Sequence, residues 1–196
     1  GSYGVIIGGS FSNIANISTF TSYDISKLAL FIGDQCSGFG TINDYITDFV
    51  VEKNQETQQL EAIYAVGNFT QIDSNYYHRF AKWNSQDGWR NTLEGFGDGF
   101  NGLPYTIAHI NAPEVGDLLL VGGAFASSSD NSVSLQNLAF IKEAEYSPQN
   151  PPPKYSFILY PSGTHIEDSV TAGLGFAGFI ASGSSNEANI YITELY

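Results

Sequence analysis

The chain has 196 residues, a formal net charge of −13, and aromatic and charged fractions of 14% each. Seven Lys and Arg exclude a general nucleic-acid binder, which must neutralise phosphates with basic side chains. The single Cys excludes an intrachain disulfide framework and any multi-cysteine zinc or iron–sulfur site.

The aromatic content is also too high for bulk disorder. No apolar run approaches the roughly 18 residues of a membrane-spanning helix. The chain contains no Met, and Gly1-Ser2 resembles an expression scar. Both features lead to the expectation of a segment cut from a longer or processed precursor.

No stretch carries a capped apolar stripe of helical period. Short runs of Val, Ile, Phe, Tyr and Thr alternate with Gly, Asn, Asp, Ser and Pro clusters, the pattern of an all-β chain. In chain order, the first element is Ile6-Ile7-Gly8-Gly9-Ser10-Phe11. It recurs as Tyr64-Ala65-Val66-Gly67-Asn68-Phe69 and as Leu120-Val121-Gly122-Gly123-Ala124-Phe125. The Phe spacings are 69 − 11 = 58 and 125 − 69 = 56. Phe179-Ile180-Ala181-Ser182-Gly183-Ser184 is a weaker fourth copy.

A second strand follows each copy: Phe20-Thr21-Ser22-Tyr23-Asp24, Phe80-Ala81-Lys82-Trp83-Asn84, Leu138-Ala139-Phe140-Ile141-Lys142 and Ile190-Tyr191-Ile192-Thr193-Glu194. Third strands are expected over 27–33, 88–93 and 155–160, and fourth strands over 45–49, 105–109 and 170–174. Gly38-Phe39-Gly40 and Gly95-Phe96-Gly97 make turns between them. The repeats then run approximately over 3–59, 60–116 and 117–174, with a partial copy at 175–196, in one repeat region.

Four antiparallel strands per repeat of this length predict blades of a β-propeller. A β-sandwich is the alternative, since it too spaces short strands regularly. About three and a half blades cannot close a ring of roughly 4–8. Further repeats, a second copy or an open arc must then satisfy the edges. In the propeller reading the Gly-small-Phe strand lies innermost, where glycine lets blades converge and the Phe packs between them.

The second repeat carries the most detailed pattern: Tyr64-Ala65-Val66-Gly67-Asn68-Phe69-Thr70, Phe80-Ala81-Lys82-Trp83-Asn84, Gly88-Trp89 and Gly97-Asp98-Gly99-Phe100-Asn101-Gly102. It resembles the kelch-like propeller repeats of extracellular proteins. Similar repeats occur in fungal cortical (bud-site) markers and secreted bacterial propellers. The resemblance implies a fold and a cell-surface, interaction-type role, with no catalytic residues to carry over.

Asn16-Ile17-Ser18 and Asn68-Phe69-Thr70 are N-glycosylation sequons, expected to be used if the protein is exported from a eukaryotic cell. Cys36 lies in an acidic Gly-rich turn, which favours an inert thiol. His78, His109 and His165 have no partners at metal-ligand spacing. No metal set is assigned. Asp98 and Asn101 are the candidates for a structural Ca²⁺, although Asp and Asn also favour turns for local reasons. Trp83 and Trp89 are candidates for stacking on sugars, although Trp at these positions of a propeller more often packs between blades. Glu94 with Asp98, or Glu167 with Asp168, could pair as carboxylates but also suit solvated turns.

The function expected is that of an extracellular structural or adhesive repeat protein, non-enzymatic and without a cofactor. Its contacts would be with a protein partner or with itself through strand edges. A carbohydrate-binding or carbohydrate-active propeller and a surface-filament subunit are the alternatives.

Overall fold

The computed structural model describes residues 4–16, 21–90, 99–112, 116–143 and 155–156. The chain divides into two compact units, Gly1–Asn91 and Thr92–Tyr196. Every described element is a β-strand, in small antiparallel sheets, and no sheet closes on itself.

The first unit opens with β1 (Gly4–Gly8), then a small hairpin of β2 (Ile14–Asn16) and β3 (Thr21–Tyr23). β4 (Leu28–Ile32) and β5 (Gln35–Gly38) complete a three-stranded sheet of order β1-β4-β5. Gly33, at φ 59, opens the two-residue turn between β4 and β5. Next come β6 (Ile46–Lys53), β7 (Leu60–Gly67), a hairpin of β8 (Gln71–Ile72) and β9 (Asn75–Tyr76), then β10 (Phe80–Asn84) and β11 (Gly88–Arg90). Their sheet runs β11-β10-β7-β6, a four-stranded meander with the hairpin as an insertion. The β10–β11 turn is set locally. The Asn84 carboxamide oxygen accepts the N–H groups of Gln86 (3.0 Å) and Asp87 (2.8 Å), and Gly88 supplies φ 70.

The second unit holds β12 (Leu103–Ala112), β13 (Gly116–Ala124), β14 (Leu138–Glu143) and β15 (Tyr155–Ser156), in the order β12-β13-β14-β15. Residues 157–196, and with them the weak fourth copy, lie outside the described residues.

The repeat is visible atom by atom. Gly8 pairs with Leu28, Val66 with Phe80 and Gly122 with Leu138. One residue on, Gly9 N–H donates to Lys27 O (2.9 Å), Gly67 N–H to Arg79 O (3.2 Å) and Gly123 N–H to Asn137 O (3.0 Å). The N–H groups of Lys27, Arg79 and Asn137 return to the carbonyls of Phe11, Phe69 and Phe125 at 3.2, 3.0 and 2.7 Å. All three adopt left-handed backbone, with φ of 68°, 67° and 71°. A non-glycine residue is held there only when its surroundings over-determine it.

This register corrects the first repeat. Thr21–Tyr23 is not the second strand; it pairs with Ile14–Asn16 inside an insertion. The second strand is Leu28–Ile32, the segment expected to be the third. The insertion from Gly9 to Lys27 is longer than that from Gly67 to Arg79, so equal spacing points to the wrong strand.

In the second and third copies the Gly-small-Phe strand is not at a sheet edge. β7 lies between β6 and β10, and β13 between β12 and β14. The fourth strand of one repeat joins the sheet of the next, so each four-stranded sheet starts one strand before the sequence repeat. Its glycine serves that neighbour. A Cβ on Gly67 would strike the carbonyl oxygen of Tyr45 and come 2.8 Å from Ile46 Cα. On Gly123 it would strike Leu103 O and reach 2.5 Å from Pro104 Cα. Both fourth strands bulge at the same place, between Ile46 and Asp48 and between Pro104 and Thr106.

The core of the first unit gathers Leu28, Phe39, Ile42, Ile63, Phe69 and Tyr77, with Trp83 and Trp89 packed against it. In the β6–β7–β10–β11 sheet both faces are covered. Ile63, Ala65 and Ala81 are buried on one, and Tyr64, Val66, Phe80 and Lys82 on the other. A central strand covered on both faces reads as the continuous apolar run of Ala62–Gly67.

Candidate functional site

Two matching polar anchors lie where the chain passes from one sheet to the next. Asn43 follows the Gly38-Phe39-Gly40 turn. Its backbone N–H donates to Gln71 O (3.1 Å), and its carboxamide oxygen accepts the N–H groups of Thr70 (2.9 Å) and Gln71 (3.1 Å). Its Nδ2 donates to Thr70 Oγ1 at 3.0 Å. Asp73 closes the loop from the other side: its N–H donates to Thr41 O and its Oδ1 accepts Thr41 N–H, at 2.9 and 2.8 Å.

Asn101 does the same in the second unit. Its N–H donates to Ser127 O (3.1 Å), and its carboxamide oxygen accepts Ala126 N–H (3.0 Å) and Ser127 N–H (3.1 Å). Ile42 bridges to Ile72 and Phe100 to Ser128, at matching positions. Asn101 is thus an anchor between a connecting segment and the next loop. The two N–H donors already share the oxygen that made it a calcium candidate, and Asp98 lies outside the described residues. Asn43 was not singled out by sequence, because one Asn in a polar loop carries no distinguishing mark. The signal was its recurrence with Asn101 ahead of a Gly-small-Phe strand.

Replacing Asn43 by Ala leaves two backbone donors to partial solvation, and should lower the stability of the first unit by about 1–2 kcal/mol. Asn43→Asp keeps the acceptor and should cost less. Urea unfolding followed by tryptophan fluorescence measures both, since Trp83 and Trp89 belong to that unit's core.

The sequon residue Asn68 is half-buried beside this anchor. Its backbone N–H donates to Tyr45 O (3.0 Å), and its Nδ2, the atom a glycan would carry, donates to Asp44 Oδ2 (2.8 Å). Asn16 lies at the end of β2, with its side chain outside the described set.

Trp83 and Trp89 face each other across β10 and β11. Trp83 meets Phe39 edge to face, with centroids 4.9 Å apart at 84°, and the Trp89 indole N–H donates to Phe39 O. Both rings are half-buried and tie the Gly38-Phe39-Gly40 turn to the sheet. On the opposite face Lys82 is buried, with its Nζ 4.8 Å from the Tyr64 ring centroid. The Tyr64 hydroxyl donates to Glu52 at 3.3 Å.

Cys36 is partly exposed on β5, and burial pushes its thiol pKa up, away from the thiolate a nucleophile needs. Among the described residues no group of three His, Cys, Asp or Glu side chains converges as a metal site. Glu94, His165, Glu167 and Asp168 lie outside them.

The loop after Phe125 holds a second arrangement that sequence reading passed over. Ser128 is fully buried and donates from Oγ to Asp130 Oδ1 at 2.6 Å. The same oxygen accepts Ser132 N–H (3.0 Å) and Ser132 Oγ–H (2.8 Å). These donors, the Ser128 hydroxyl foremost, hold the Asp130 carboxyl at a pKa of about 2 against an ordinary 3.8. A depressed carboxyl stabilises the fold above the unfolded value, and that contribution is lost as pH falls from 3.8 towards about 2. A carbon-13 titration should place the Asp130 midpoint near 2, and Ser128→Ala should raise it. An ordinary midpoint in the unaltered chain would contradict the three-donor geometry.

Compared with protein-family models, curated proteins and solved structures, the chain matches none.

Proposed function

We propose that this chain is a non-catalytic, extracellular structural or adhesive repeat protein, built of kelch-like propeller blades, that acts through protein–protein contact. One observation carries the reading. Three insertions of different length and sequence sit on one repeated frame, spanned by the Gly9–Lys27, Gly67–Arg79 and Gly123–Asn137 hydrogen bonds. Constant frames with variable loops are how repeat scaffolds present contact surfaces. The four-stranded meanders, and a sheet covered on both faces, support blades that stack on one another. The β8–β9 insertion carries Tyr76, a large side chain 74% exposed, and Tyr is enriched where proteins meet.

Sedimentation velocity over a concentration series tests self-association as the form of that contact. The full chain should associate, and Tyr76→Ser should weaken association without changing the circular dichroism. A chain that stays monomeric throughout would overturn self-association. A glycan-array signal lost on Trp89→Ala in a folded variant would overturn the non-carbohydrate reading.

A further inference from the structure

The three sheets are equivalent except at one edge. β7 is flanked by β6 and β13 by β12, whereas β1, their counterpart, has β4 on one side and no described strand on the other. Three features of β1 match that vacancy. First, its register is the same: Gly8 stands where Val66 and Gly122 stand. Val5 and Ile7 therefore correspond to Ile63 and Ala65, which are fully buried, yet Val5 is 58% and Ile7 45% exposed.

Second, Gly9 corresponds to Gly67 and Gly123. Those two are glycines because the neighbouring fourth strand presses a carbonyl oxygen against them. At Gly9 an added Cβ would meet only the Phe11 ring, at 3.9 Å. The space that a fourth strand fills beside Gly67 and Gly123 is open beside Gly9, whose φ of 157° by itself favours glycine. Third, an apolar, unpaired strand edge is a template for pairing.

We infer that the open edge of β1 is a docking site for one antiparallel strand of the β6 and β12 class, supplied by polypeptide leading into Gly4. In both complete sheets the fourth strand directly precedes the strand it pairs with, through residues 54–59 and 113–115. A second copy is the poorer donor: β6 and β12 are already paired within their own sheets, so neither is free to be lent. The incoming strand would lay a carbonyl against Gly9 and continue the apolar cover over Val5 and Ile7.

Hydrogen exchange with mass spectrometry on the full chain tests this. One variant carries an additional copy of residues 43–59 ahead of Gly1, placing a β6-type strand and its turn at the edge. Amides within Gly4–Gly8 that point away from β4 should exchange at least about tenfold more slowly than in the unextended chain. A second variant, with Pro in place of Val50 in the added copy only, should lose that protection. The free peptide of residues 43–59, added in excess to the unmodified chain, should protect the same amides and needs no altered protein. Unchanged exchange over Gly4–Gly8 in both the extended chain and the peptide mixture would overturn the assignment. So would protection of the unmodified chain that vanishes on dilution, which would make a second copy the occupant.

Discussion

Gly67→Ala should destabilise the first unit by about 3 kcal/mol, the upper part of the overpacking range. The single added carbon has nowhere to go. It would strike Tyr45 O and lie 2.8 Å from Ile46 Cα, and both obstacles are backbone. A flexible side chain could swing aside; a paired strand must shift as a whole. Relief would require β6 to separate from β7 beside the bulge, breaking the pairing of Ile46 with Gly67. Gly88→Ala is the control for glycine replacement as such. Gly88 has open space around it but a φ of 70°, so its cost should be the roughly 1–2 kcal/mol of left-handed backbone. Urea midpoints read by tryptophan fluorescence rank the two. Gly67→Ala no worse than Gly88→Ala would mean that β6 does not press on β7 as described. Gly123→Ala, blocked by Leu103 O and Pro104 Cα, should behave like Gly67→Ala when the second unit is followed.

The same glycine shows how far the sequence could be read. The recurrence of a small-residue strand ending in Gly-small-Phe is plain in the chain, and it locates β1, β7 and β13 correctly. Alternating apolar runs broken by Gly, Asn and Asp suffice to establish an all-β fold. The glycine's reason was not legible. Crowding was expected from a neighbouring sheet, and it comes from the next strand of the same sheet, a through-space relation that no spacing encodes. Strand phase was lost for a related reason. A strand's sequence does not say whether it pairs with what precedes or follows it, so β6 reads as the end of one unit although it begins the next sheet. The misassigned Thr21–Tyr23 has a third cause: insertion lengths vary on a constant frame, and alignment by period assumes they do not.

Candidate sites were less legible than strands. Trp83 and Trp89 stand out by chemistry, but their partners are a turn residue, Phe39, and its carbonyl, which only folding brings near. Asn43 and Asn101 each hold two backbone N–H groups of a loop more than twenty residues away, yet nothing in their local sequence separates them from turn-forming Asn. Lys27, Arg79 and Asn137 share a left-handed backbone with three unlike side chains. The frame at that point is dictated by hydrogen bonding from both sides, not by residue type.

Phe69→Ala should be the most damaging of the substitutions considered, costing about 4 kcal/mol. The ring is fully buried, in the same core cluster as Ile42, Ile72 and Tyr77. That cluster joins the connecting segment to the β8–β9 insertion, so its loss loosens both together. The Phe69 carbonyl also holds Arg79 N–H at 3.0 Å and thereby the left-handed residue just ahead of β10. Phe125 offers the independent check. It is 1% exposed and stacks on Phe100, with centroids 4.4 Å apart, so Phe125→Ala should cost a similar amount in the second unit. Phe11, the third member, is only half-buried. With less surface removed from water and a smaller cavity left behind, Phe11→Ala should cost about half as much, near 2 kcal/mol. The ordering Phe69 and Phe125 above Phe11 follows from their burial, and from β1 having no strand on its far side among the described residues, and a denaturant series on the three variants reads it directly. Equal losses at all three would mean that Phe11 is as enclosed as its counterparts, which would contradict an open edge at β1.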